Sequence, residues 1–187
     1  SKGIQPIIGM QVNISGSISS ENNIGEVVLI AKNEIGYRNL LVLTSELSTN
    51  SNFEKFITFK NLKTYKDGII LLTGGIENGF IGKPASLGNT KLVNDRIRIL
   101  KELFHDNIYI ELQRHGIKGQ VDAEKILLDS SENFDLPLVA TNDCFFENEN
   151  KFNAHQVLTR IDKGLTISSN NRRLLTKEHY IKDTNTM

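Results

Sequence analysis

Short runs of unbroken apolar residues, each too brief for a buried helix, constrain this chain more than any other feature. EVVLIA (Glu26 to Ala31), GIILLT (Gly68 to Thr73), IYIEL (Ile108 to Leu112) and LPLVAT (Leu136 to Thr141) read as strands, and PIIGMQVNI (Pro6 to Ile14) as another. Most lack the alternation of a half-exposed strand. They predict strands covered on both faces, which belong to parallel sheets. Segments with helical spacing lie between them. After Asn33, a residue suited to an N-cap, Tyr37, Leu40, Leu41, Thr44 and Leu47 share one face. Val93, Ile97, Leu100, Leu103 and Phe104 form a second stripe, with Asp95, Arg96, Arg98 and Lys101 facing out. Ala123, Ile126 and Leu127 mark a third helix, and NAHQVLTRIDKG (Asn153 to Gly164) a fourth, ended by Gly164. The alternation predicts an α/β domain, either doubly wound or barrel-like. ISGSISSENNIGE (Ile14 to Glu26) and TSELSTNSNFEK (Thr44 to Lys55) read as polar loops, and the tail from Ser168 as extended chain with a short helical turn.

Size and charge narrow the function classes. The 187 residues suffice for one domain with a substantial core. Lys plus Arg (22) balance Asp plus Glu (22), whereas a protein gripping nucleic acid by its overall field would be clearly basic. No apolar run approaches the roughly 20 residues of a membrane span. Ser1-Lys2 leads straight into GIQPIIG, without a starting Met or a secretory signal, so a piece of a longer chain is expected. The lone Cys144 excludes an internal disulfide, fits a reducing cytoplasm, and reads as a small buried hydrophobe.

Polar residues gather where the strands end. The first strand carries Gln11, the run ending at Thr73 is followed by Gly74 and Gly75, IYIEL leads into Gln113, Arg114 and His115, and LPLVAT into Asn142 and Asp143. In parallel α/β barrels such ends form the face where chemistry is done. Residues of these types bind metal or phosphate, and equally cap helices. The other histidines read as structural or solvated: His105 at the end of an exposed helix, His155 packed within a helix, His179 in the polar tail. LTGG lacks the Gly-Lys-Ser/Thr element of a phosphate loop, and no zinc-ribbon spacing or nucleophile elbow occurs. Arg96, Arg98, Arg172 and Arg173 read as solvated surface charges. Arg114, beside His115, is expected to pair with Asp143 or Glu111 in place of a metal.

GIQPIIG, AKNEIGYRNLL, GIILLTGG, YIELQRHG, LPLVATND, NAHQVLTRIDKGLTI and RLLTKEHYIK occur in a familiar order and spacing. Over essentially its whole length the chain resembles the N-terminal PHP (polymerase and histidinol phosphatase) domain of bacterial DNA polymerase III alpha subunits. The resemblance implies one PHP domain over residues 1–187, a distorted (β/α)7 TIM-like barrel lacking its first strand and helix, with the tail from about residue 165 leading toward polymerase domains. A barrel opened in this way is expected to be poorly stable alone, because adjacent strands lose their pairing.

In the family, an intact PHP site gathers histidines and carboxylates around two or three metal ions, and such a cluster activates water for phosphoester hydrolysis. The resemblance places His115 and Asp143 on ligand positions of that site. It also places Gln11 where Glu is expected, Gly75 where Cys or His is expected, Phe145 on the histidine of Asp-x-His, and Asn153 where Asp is common. Gln11, Gly75 and Phe145 offer no donor of the required kind, so a vestigial site is expected, with Phe145 and Phe146 filling space once held by metal and water. No catalytic, cofactor-binding or metal residue is then expected here. Magnesium would serve the parent polymerase, and zinc or manganese only an active PHP site. The implied role is structural support within a cytoplasmic replicative DNA polymerase, with docking of a separate proofreading exonuclease subunit, contacts to other holoenzyme subunits, and DNA reached only through the parent protein. The alternative is an active metal-dependent phosphoesterase or 3′–5′ proofreading exonuclease.

Overall fold

A computed structural model describes residues 3–15, 24–49, 56–162, 164 and 175–187. Strands β1 (Gly9–Ser15) and β2 (Ile24–Ala31) pair antiparallel, with Ser15 opposite Ile24 and Gly9 opposite Ile30. The few residues between them are too short for the crossover that a parallel pair needs. Both strands alternate: Val12, Ile14, Val27 and Leu29 point into the core, while Gln11, Asn13, Glu26 and Val28 face the other way. The expectation of parallel strands covered on both faces therefore fails at this hairpin, and the first strand begins at Gly9 rather than Pro6.

Helix α1 (Glu34–Thr49) follows, with the Asn33 side chain accepting from the Gly36 N–H at 3.0 Å, as its cap position predicts. Its buried stripe is Gly36, Leu40 and Leu43, with Leu47 packed against the core; Tyr37, Leu41 and Thr44, expected on that face, are exposed. The helix also runs through residues read as a loop. Thr44, Ser45, Ser48 and Thr49 donate their hydroxyls to carbonyls four residues back at 2.8–3.0 Å, so a loop-like composition is accommodated within helical backbone.

Strand β3 (Phe56–Thr58) and helix α2 (Phe59–Thr64) come next, and α3 (Gly82–Ser86) follows β4 (Ile69–Leu72). The three elements β3, α2 and α3 are too short to leave a periodic signature. Helix α4 (Thr90–Phe104) buries Val93, Ile97, Leu100 and Phe104 as its spacing predicts. Arg96, expected to face out, is instead 5% exposed. Strand β5 (Ile108–Leu112), helix α5 (Gln120–Phe134), strand β6 (Leu138–Ala140), a single 3-10 turn (Glu149–Lys151) and helix α6 (Phe152–Asp162) complete the order. Gly164, at φ +61°, donates to the Ile161 carbonyl and closes α6.

The six strands form one sheet in the order β3-β1-β2-β4-β5-β6. β1 with β3, β4 with β5, and β5 with β6 are parallel, whereas β2 is antiparallel to both neighbours. The fold is a mixed α/β structure. Its core, which includes Ile14, Leu29, Leu71, Ile97, Leu100 and Ile110, lies between the sheet and the helices. The parallel strands β4, β5 and β6 deliver their carboxyl ends to one side, and there the polar residues meet.

Candidate functional site

A partly open cavity of about 90 Å³ sits at those strand ends. Gln11 from β1, Glu26 from β2, Gly75 after β4, Glu111, Gln113 and His115 from the end of β5, and Asp143 after β6 all line it. Four of the positions singled out in the sequence, Gln11, Gly75, His115 and Asp143, are thus brought together. Phe145 and Asn153 do not line the cavity, and Asn153 is exposed on the first turn of α6.

Glu111 is the carboxylate at the centre, and it is 4% exposed. It accepts from the Gly74 N–H at 3.0 Å, from Gln113 Nε2 at 3.0 Å and from the Thr141 hydroxyl. Burial pushes its pKa up; the three donors pull it down, and the nearby Asp143 adds to the rise. In the sequence it is the single charge inside the apolar run IYIEL, expected there only as a partner of Arg114.

His115 is 3% exposed. Its Nε2 lies 2.8 Å from Asn142 Oδ1, and the Asn142 amide is oriented by donating from Nδ2 to the Tyr180 carbonyl at 2.6 Å. The Asp143 main-chain N–H also points at Nε2, at 3.3 Å. The His115 main-chain N–H donates to Gln120 Oε1 at 3.0 Å. His179 stacks on its ring, with centroids 4.0 Å apart and planes 21° from parallel. His179, read as a tail residue in water, is 1% exposed and belongs to this site.

Other expectations need correction. Arg114 pairs neither with Asp143 nor with Glu111. It reaches Glu124 at 2.6 and 3.2 Å, and holds that carboxyl below the usual range. Successive side chains on extended backbone point opposite ways, so with His115 turned inward Arg114 turns out. Phe145 and Phe146 do not fill the cavity: Phe145 packs 5.8 Å from His179 and 6.0 Å from His155, and Phe146 5.6 Å from His155 and 5.9 Å from Phe152. They seal the seam between the loop after β6, helix α6 and the tail. His155 is structural, as expected. Cys144 is exposed rather than buried, with its thiol near the Tyr180 carbonyl at 3.4 Å. His105 is exposed, as expected. Arg172 and Arg173 lie outside the described residues.

The donors at this cavity do not fit the metal cluster that an intact PHP site implies. Gln11 is a neutral amide that donates from Nε2 to Glu26 Oε2 at 2.8 Å, His115 Nε2 is bonded to Asn142, and the Glu111 oxygens accept from three protein donors. A Cβ on Gly75 would meet Gln113 Oε1 at 2.2 Å, so Gln113 occupies the room a ligand side chain would need. Among the described residues no three His, Cys, Asp or Glu side chains converge as a metal site. Without a metal, the arrangement is a hydrogen-bonded polar network that fixes three strand ends relative to one another.

A polar cavity at parallel strand ends of a mixed α/β sheet is what a PHP domain presents, and residues 1–115 match the family model described as PHP domain. The chain belongs to that family. Similar proteins are "DNA polymerase III subunit alpha" of Caulobacter vibrioides (33% identical over 186 residues, 96% of this chain), of Rickettsia bellii (34% over 188 residues, 100% of this chain) and of Haemophilus influenzae (32% over 184 residues, 97% of this chain). The chain spans only 16% of the length of each of these relatives. No helix among the described residues is long and apolar enough to cross a membrane.

Proposed function

We propose that this chain is the PHP module of a bacterial DNA polymerase III alpha subunit and takes part in DNA-directed DNA synthesis in the cytoplasm. On this reading the module is a scaffold: it supports the polymerase body and docks a separate proofreading exonuclease subunit. The six-stranded sheet is then part of a distorted (β/α)7 barrel. Polymerase chemistry and its magnesium belong to other domains of the parent protein.

The observation that carries the scaffold reading is the commitment of the cavity donors. Glu111 accepts from three protein groups, His115 Nε2 is bonded to Asn142, and no three His, Cys, Asp or Glu side chains converge among the described residues, whereas a structural or catalytic metal needs about three or more protein donors. The outward apolar residues of α6, Val157, Leu158 and Ile161, also suit a module that contacts other protein surface.

Elemental analysis of the purified protein tests it. Less than one equivalent of zinc or manganese is expected, together with no hydrolysis of DNA 3′ ends. A stoichiometric metal complement, with hydrolysis abolished by His115→Ala, would establish the phosphoesterase instead. Co-purification with the exonuclease subunit is expected, and its absence would remove the docking role.

A further inference from the structure

The loop after β6, from Asn142 to Phe146, is held from two sides. From β5, His115 Nε2 reaches Asn142 Oδ1. From the tail, the Phe145 N–H donates to the His179 carbonyl at 2.9 Å, the Ile181 N–H donates to the Phe146 carbonyl at 3.2 Å, and Tyr180 O accepts from Asn142 Nδ2. The two sides also join each other. The Thr176 hydroxyl donates to the His115 carbonyl at 2.5 Å, and the rings of His115 and His179 stack. His179 Nδ1 accepts from the Thr176 main-chain N–H at 3.1 Å, which fixes the turn that presents the ring.

We propose that residues 176–181 are a strap that does in this domain what a metal ion would do, locking the end of β5 to the loop after β6. The inference rests on the reading of the cavity as unable to hold a metal. A metal draws ligands from separate strand ends to one point. Here one ring stack and a set of hydrogen bonds supplied by the tail reinforce the direct bond from His115 to Asn142 and draw together the same two ends. The strap is also a mechanical link, because displacing the tail removes the inner support of His115 and of the main chain beside Asp143.

Hydrogen exchange on the intact chain tests this, read at four amides. Phe145 and Ile181 report the strap, and Leu71 and Ile110, bonded to Asn107 O and Pro137 O, report the sheet. His179→Ala is expected to speed exchange at Phe145 and Ile181 by about tenfold, the order expected when one or two hydrogen bonds open locally, and to leave Leu71 and Ile110 unchanged. Thr176→Val, which removes the hydroxyl that bonds the His115 carbonyl and accepts from the Glu178 N–H while keeping the His179 ring, should act in the same direction by less, and it decides the matter where His179→Ala fails to fold. Wild-type exchange at Phe145 and Ile181 in both variants would overturn the strap. Faster exchange on adding EDTA to the wild type would instead show a metal doing this work, and would overturn the metal-free reading with it.

Discussion

Arg96 sits among Asp95, Arg98 and Lys101 in the sequence, yet its guanidinium lies 4.2 Å from the centroid of the Phe80 ring and donates to the Phe80 carbonyl at 2.6 Å. It anchors α4 to the segment leading into α3. Removing a buried charged hydrogen bond together with the ring contact should cost about 3 kcal/mol in Arg96→Ala, measured by denaturant unfolding. Arg98→Ala, which loses an exposed pair with Asp95, should cost about 0.5 kcal/mol or less. Equal effects in the two variants would contradict the burial. His115 provides a test in pH. Burial first, then the neighbouring His179 and Lys182, hold its pKa below the ordinary 6.5, against the opposing pull of Asn142 and Asp143. The unfolded chain therefore binds the proton more readily. His115 contributes stability above about pH 6.5 that is lost as pH falls through the depressed value. The Tm advantage of wild type over His115→Gln should shrink between about pH 7.5 and pH 5, and a constant difference would refute it. Glu111 acts in the opposite sense. Its raised pKa gives a contribution present below the ordinary 4.5 and lost as pH rises through the raised value.

Helix α1 shows how an element can reverse a general rule. Gly36 lies in its first turns, and alanine in a helix is normally favoured over glycine by up to about 1 kcal/mol. A Cβ at Gly36, however, would lie 1.8 Å from the Gly68 carbonyl oxygen, and the same carbonyl accepts from the Lys32 N–H at 2.8 Å. Main chain cannot yield there without moving the helix off β4. Gly36→Ala should therefore destabilise by roughly 2 kcal/mol or more, seen as a lowered Tm, and a raised Tm would be decisive against it. Elements with many core side chains were legible: β5 runs from Ile108 to Leu112 as read, and α4 shows its stripe. The serine- and threonine-rich end of α1 was not, because its hydroxyls satisfy themselves on helical carbonyls rather than breaking the helix.

At the scale of the whole molecule, α6 is the one long helix among the described residues that buries none of its side chains fully. His155, Gln156, Thr159 and Arg160 are half-buried, while Val157, Leu158 and Ile161 are 44%, 64% and 70% exposed. Leu158→Lys should change folding stability by no more than about 0.5 kcal/mol, measured by thermal melting. A large loss would mean that this face is covered within the chain. β6, the edge strand of the sheet, is likewise thinly covered, with Leu138 43% exposed.

The sequence alone determined the α/β class, the positions of the main strands and helices, and the gathering of Gln11, Gly75, His115 and Asp143 at strand ends. Apolar periodicity fixes which backbone is buried, and strand ends inherit their location from it. Only the tertiary structure decided how the donors are spent. Whether Glu111 meets a metal or three protein donors, whether Arg114 turns toward Asp143 or Glu124, and whether His179 is in water or stacked on His115 all depend on which groups the fold brings together. Hydrogen-bond partners 30 and 61 residues apart, such as Thr141 with Glu111 and Thr176 with His115, leave no local pattern, so their pairing exists only once the fold has brought them together.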